Sequence, residues 1–290
     1  MPPKPFGKTV TSVILLINPK PLKTLSKKAL SIQISLNGLS FCILDTSEKT
    51  VHYLKSVTFE KKKAPHELLE KLKAAIETQS LLQQPFDAVY CVYQNELSCL
   101  VPEPLFDEEN LAEYLKFNAK ILKTDYLAYD AIPCIKSMNV FIPLVNINNY
   151  IFETFGKFTY KHASTVLIES LIQRQHQTIG TALYLNVNSS SFEMLAIKNK
   201  QLQFYNSFNY HSKEDFIYYL LFTVEQLKLD PEAVKLYLFG HIDEQNELFQ
   251  IAYRYIRHVE LFEPEQQFKL DRSITTTNLS AYFSLLNSFN

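Results

Sequence analysis

The sequence predicts an α/β protein of two lobes, each a mixed sheet with helices packed on it. The order strand–strand–strand–helix–strand–helix–strand occurs twice, from about residue 31 and again from about residue 181. Strands alternating with helices in this way are covered by them, which gives a layered α/β arrangement. The 290 residues are 47% hydrophobic and 20% charged, enough apolar material for one large or two modest cores.

In the first copy, Leu30-Ser31-Ile32-Gln33-Ile34-Ser35-Leu36 alternates apolar and polar residues, the period of a half-buried strand. Asn37-Gly38 follows, a hairpin signal because both residues accept positive φ. Residues 39–44 read as the returning strand and 51–59 as a third. Pro65 opens a helix with Leu68, Leu72 and Ile76 on one face. Strands are expected at 86–93, 97–101, 126–132 and 138–145, with a helix capped by Asp107 among them. Residues 149–175 show no decisive period.

The second copy begins with a strand over 181–187, a polar turn at Asn188-Ser189-Ser190, and strands over 192–197 and 202–208. Ser212 and Asp215 have capping-box spacing before a helix carrying Phe216, Leu220 and Val224. A compact strand over 235–239 ends at Gly240. Asp243 opens a helix to about Arg254, and residues 258–261 form the last strand. The expected organisation is a basic, disordered tail over 1–27, a first lobe with insertions over 28–177, and a second lobe over 178–275. A C-terminal helix over 276–290 packs back on the body.

Composition excludes several classes. Net charge is -1, without the basic excess that neutralises phosphates, so no nucleic-acid partner is expected. No apolar run approaches the ~20 residues of a membrane span, and residues 13–17 are too short and poorly flanked for a signal peptide. A cytoplasmic location is expected. Cys42, Cys91, Cys99 and Cys134 form no C-x-x-C pair, and each sits in an apolar, strand-like run, as buried reduced thiols do. The seven histidines are dispersed, and no metal site is expected. Aromatic runs at 152–160 and 204–210 serve either core packing or an exposed protein interface.

A duplicated lobe that opens with three antiparallel strands is ribonuclease-H-like. Two of them resemble the actin-like superfamily, which includes actin, sugar kinases and the bacterial proteins FtsA and PilM. The stretch Ser31–Asp45 is similar, more specifically, to the DUF3822 family of Bacteroidetes. The resemblance implies an actin-like ATPase fold over residues 28–290, with a nucleotide held between the lobes by three loops. The first loop implies an acid beside a glycine turn, where this chain has Ser35, Asn37 and Gly38. The second implies an Asp and glycines, where it has Asn186, Asn188 and Ser189. The third implies two adjacent glycines against the base, where it has Gly240 and His241. Carboxylates position Mg²⁺ and glycine amides approach phosphate, so these departures remove the expected metal and phosphate ligands.

Other chemistry finds no support in the sequence. A ribonuclease-H nuclease needs an acid in the first strand, and residues 31–36 contain none. Asp45, Asp87 and Asp130 lie near strand ends, where Asp serves as a turn or cap residue. No P-loop, G-x-S-x-G or G-x-G-x-x-G occurs. The expected function is that of a non-catalytic pseudo-ATPase, without cofactor, acting as a binding module or scaffold for another protein. The alternative is a ligand-binding switch, or a weak ATPase, that uses the cleft between the lobes.

Overall fold

The computed structural model describes residues 27–116, 121–122, 125–174, 180–263, 267–276 and 278–290. The expected tail, apart from residue 27, and the expected boundary at 177/178 lie outside the described residues.

Strands β1 (Lys28–Ser35), β2 (Gly38–Asp45) and β3 (Thr50–Thr58) form an antiparallel meander. Helix α1 (Pro65–Thr78) crosses over, and β4 (Ala88–Gln94) returns parallel to β1. An inserted unit follows: β5 (Ser98–Pro102), α2 (Leu111–Leu115), β6 (Ala128–Ile132) and β7 (Ser137–Phe141). Its strands form a separate sheet in the order β5-β7-β6. Helix α3 (Val145–Phe155) then leads to β8 (Thr159–His162), parallel to β4, and α4 (Ala163–Arg174) leads onward. The second copy comprises β9 (Thr181–Val187), β10 (Ser191–Lys198), β11 (Gln201–Asn209), α5 (Lys213–Gln226), β12 (Lys235–Gly240), α6 (Glu247–Tyr255) and β13 (His258–Leu261). Its sheet order is β11-β10-β9-β12-β13. The chain then returns to the first sheet with β14 (Lys269–Leu270), parallel to β3, and ends in α7 (Phe283–Asn287).

The two sheets share one plan, a meander whose first strand is flanked by a parallel strand across a helix. Leu68, Leu72 and Ile76 of α1 bury against Leu30, Ile32 and Ile34 of β1. Each such leucine or isoleucine stabilises the core by about 1.5–3 kcal/mol. In the second lobe, Phe216, Leu220 and Val224 of α5 and Leu248 and Ala252 of α6 cover one face of the sheet. Leu167, Ile168, Leu171 and Ile172 of α4 cover its other face.

Several local expectations are corrected. Strand β1 is not half-buried: Ser31 is fully buried, and its hydroxyl meets that of Ser288 at 2.7 Å. Leu285 of α7 fills the same side of the first sheet against Cys42, Leu44 and Val51. The hairpin turn is Leu36-Asn37, with Ser35 paired to Gly38, and neither Asn37 nor Gly38 has positive φ. Glycine is required there by crowding, because a β-carbon at Gly38 would lie 2.7 Å from the Val57 carbonyl oxygen. Residues 145–155, which run from the end of an expected strand into a stretch without decisive period, form α3. Helix α6 starts at Glu247 rather than Asp243, because Asn246 accepts from the Leu248 amide and caps it. Cys42 and Cys91 are buried, but Cys99 is only partly so and Cys134 is exposed. Among the described residues, no helix is long and apolar enough to cross a membrane.

Candidate functional site: the cleft between the sheets

A cleft of about 890 Å³ opens between the β1–β2 turn of the first sheet and the β9–β10 turn of the second. Six of the expected positions line it: Ser35, Asn37, Gly38, Asn188, Ser189 and His241. The other two, Asn186 and Gly240, are buried behind its wall in the second lobe.

The three loops are closed on themselves and on each other. In the first, the Asn37 amide donates to the Ser35 hydroxyl at 3.2 Å. In the second, the Asn188 amide donates to the Ser191 carbonyl at 2.8 Å, and the Tyr210 hydroxyl donates to the Asn188 carbonyl at 2.5 Å. Across the cleft, Asn37 Nδ2 reaches Ser190 Oγ at 3.5 Å. In the third, the Gly240 amide donates to Ser280 Oγ at 3.2 Å, and Asn278 Nδ2 donates to its carbonyl at 2.9 Å. The returning chain before α7 therefore takes up both backbone polar groups of Gly240. His241 donates its amide to the Val187 carbonyl at 2.7 Å, which fixes the turn at the carboxyl end of β12.

A carboxylate that loop inspection misses stands beside the second loop. Glu193 on β10 pairs in register with Asn186 on β9 and is 6% exposed. Asn186 Nδ2 donates to Glu193 Oε2 at 3.0 Å, and the Tyr205 hydroxyl donates to Oε1 at 2.8 Å. Burial raises the Glu193 pKa, against the opposing effect of these two hydrogen bonds. This geometry also accounts for the amide at 186. An Asp there would set two carboxylates at hydrogen-bond distance, and like charges that close cannot both ionise. The signal in the sequence was a single acid inside the apolar run Phe192-Glu193-Met194-Leu195-Ala196-Ile197.

The cleft carries little charge of the kind a polyphosphate needs. Lys62 is the one lysine or arginine among the described lining residues, and it is paired with Glu96 at 2.7 Å. His162, also on the wall, is 2% exposed, and burial holds its pKa down to about 4, so it is neutral near pH 7. Asp45 behaves as a local cap, accepting from the Ser47 and Glu48 amides, whereas Asp87 accepts from the amide of Lys28, 59 residues away at the start of β1. Asp130 lies within β6, half-buried, with its pKa raised by burial to about 6. Asp45, Glu48 and His52 bring their ligand atoms within 4.8 Å of one another at the far end of β2 from the cleft. There the His52 ring already meets Asp271 at 3.2 Å.

Comparison with known proteins follows the same lines. The family model described as "Protein of unknown function (DUF3822)" matches residues 18–259. A solved structure from Bacteroides thetaiotaomicron, described as a protein with actin-like ATPase fold and unknown function, is 20% identical with a TM-score of 0.70. The match covers 89% of this chain and 96% of that one. A chain of the PilM–PilN type IV pilus biogenesis complex is 12% identical with a TM-score of 0.58, over 90% of this chain and 97% of that one. At such identities the likeness concerns the fold. No curated protein matches the sequence.

Proposed function

We propose that this chain, which belongs to the DUF3822 family and has the actin-like ATPase fold, is a non-catalytic pseudo-ATPase that acts as a protein-binding module or scaffold. One observation carries this reading. The Asn37 amide and side chain, the Asn188 and Gly240 backbone groups and the His241 amide are engaged with the protein itself, and the nearby carboxylate, Glu193, is buried and held by Asn186 and Tyr205. A metal-dependent phosphoryl transfer needs ionised carboxylates and donors placed by the loops around Mg²⁺ and phosphate; here the exposed carboxylates on the cleft, Glu60 and Glu96, stand outside the three loops, and Glu96 is paired with Lys62.

A partner protein is favoured by the outer face of the second lobe. Tyr218 is 61% exposed and stacks on the exposed Phe222 along α5, while Tyr253 and Tyr255 are exposed on α6. Exposed aromatic side chains of this kind are enriched in protein interfaces. PilM, whose structure was solved in complex with PilN, offers a fold-level analogy for action through a partner.

Phosphate release from Mg·ATP tests the catalytic half of the proposal. The rate with the wild-type protein is expected to equal the buffer blank. Turnover that the substitution Glu193→Gln abolishes would overturn it.

A further inference from the structure

One edge of the second sheet differs from the other edges of the two large sheets. Those others are β8, which carries Lys161, β13, which carries His258 and Glu260, and the two-residue β14, which carries Lys269. Short strands and charged side chains are the ordinary means by which a sheet edge avoids pairing with another chain. Edge strand β11 uses neither: its nine residues, Gln201–Asn209, include no charge and no proline.

The backbone of β11 presents hydrogen-bonding groups along its outer side. The Tyr210 amide donates to the Ser190 carbonyl at 3.0 Å, one step beyond the pair Asn209–Ser191. Backbone groups alternate in direction along a strand, so those of Phe208 and Asn206 also turn to β10, and those of Tyr205, Ser207 and Asn209 turn outward. The Ser207 amide is met there only by a neighbouring side chain, Asn206 Oδ1 at 2.9 Å. Among the described residues, no strand pairs with this side of β11.

Helix α5 adds an apolar strip along the same edge. Phe216 packs on Phe192 of β10, and Tyr219 stacks on Phe208 of β11 with ring centroids 5.0 Å apart. Strands lie about 4.8 Å apart and a helix is about 10 Å across, so α5 covers β10 and β11 out to the edge. Phe222 is three residues beyond Tyr219 and lies on the same side of the helix. It stacks on Tyr218, and both rings are exposed.

We infer that β11 is the seam of a homodimer, in which β11 of a second copy pairs with it antiparallel about a two-fold axis perpendicular to the sheet. Such an axis makes one continuous sheet and keeps both α5 helices on the same face, where they meet flank to flank. A second copy fits better than a lone incoming strand because both halves of the edge are self-complementary. An uncharged strand laid against its own copy meets no like charge at any register. Tyr218 and Phe222 then cover the same rings of the other copy, which a lone strand would leave in water. The pairing needs neither nucleotide nor catalysis, so it stands apart from the pseudo-ATPase reading, and it leaves Tyr253 and Tyr255 of α6 open to a different protein.

Sedimentation velocity on the full-length chain tests this over about 1–100 μM, a range that resolves a micromolar dissociation constant. A dimer is expected. Ser207→Pro removes an outward amide and leaves the bonds to β10 in place, as proline does on an edge. Phe222→Lys sets two like charges against each other across the axis. Each is expected to raise the dissociation constant about tenfold or more, with a cooperative melt showing that the variant is folded. Tyr253→Lys, on α6, is expected to leave the dimer intact. A wild-type chain that is monomeric throughout the range would overturn the inference. So would a dimer unaffected by either folded edge variant, or one lost in Tyr253→Lys. If Ser207→Pro does not fold, Phe222→Lys, at an exposed position, decides the question.

Discussion

Gly240→Ala is expected to destabilise the protein by about 4 kcal/mol or more, which lowers Tm by about 10 °C at this chain size. Gly240 has φ +93°, a region that side chains other than glycine rarely adopt. The crowding is worse than the backbone strain. A β-carbon would sit 2.3 Å from the Val187 carbonyl oxygen on the neighbouring strand and 2.8 Å from Asn186 Oδ1. The Val187 oxygen accepts the His241 amide, and Asn186 holds Glu193, so neither neighbour can retreat without breaking a contact. The glycine that the actin-like resemblance reserves for a base is thus required here by the packing of the loop itself. A thermal melt followed by circular dichroism checks this, and a Tm within about 2 °C of wild type would show that the loop yields easily.

The second large effect is a pH dependence hidden by cancellation. Asp130 has its pKa raised from 3.8 to about 6, chiefly by burial. Between those values the folded state keeps a proton that the unfolded chain has lost. This contribution to stability is present below pH 3.8 and is lost as pH rises through 6. His162 has the opposite sign: burial lowers its pKa from 6.5 to about 4. Between those values the unfolded chain takes up a proton that the folded state refuses. Its contribution is present above pH 6.5 and is lost as pH falls through 4. Each amounts to about 3 kcal/mol, and the two windows overlap, so together they nearly cancel. Asp130→Asn keeps an oxygen for the His162 amide and for Thr165 but removes the titration. The variant is expected to gain about 3 kcal/mol of stability between about pH 4 and 6.5 relative to the wild-type profile, read from urea midpoints at each pH. Parallel profiles would show that Asp130 does not titrate in this window.

Much of the fold was legible because it rests on local patterns. The capping box of Ser212 and Asp215, Pro65 at the start of α1 and the apolar stripes of α1 and α5 specify their helices without reference to the rest of the chain. The positions of the three loops followed from the strand order. What was not legible depends on partners distant in sequence. The polar face of β1 reads as solvent-facing until the C-terminal segment, 257 residues later at Ser288, covers Ser31. The two-residue β14 has no periodicity to detect and exists through its pairing with Thr50 and Val51. Asp130 reads as a turn residue because its partners, His162 and Thr165, lie 32 and 35 residues away. Glu193 is hidden for a related reason. The family positions at 35, 186 and 240 are where an acid or a glycine is expected, whereas this acid stands on the neighbouring strand.

Titration of Mg·ATP into the full-length chain tests the central proposal most directly, by calorimetry with a parallel thermal melt. No binding heat and no shift of Tm are expected up to millimolar nucleotide. A saturable isotherm with a micromolar Kd would contradict it, as would a Tm raised by about 5 °C, the shift expected of a ligand present at about 100 times its Kd.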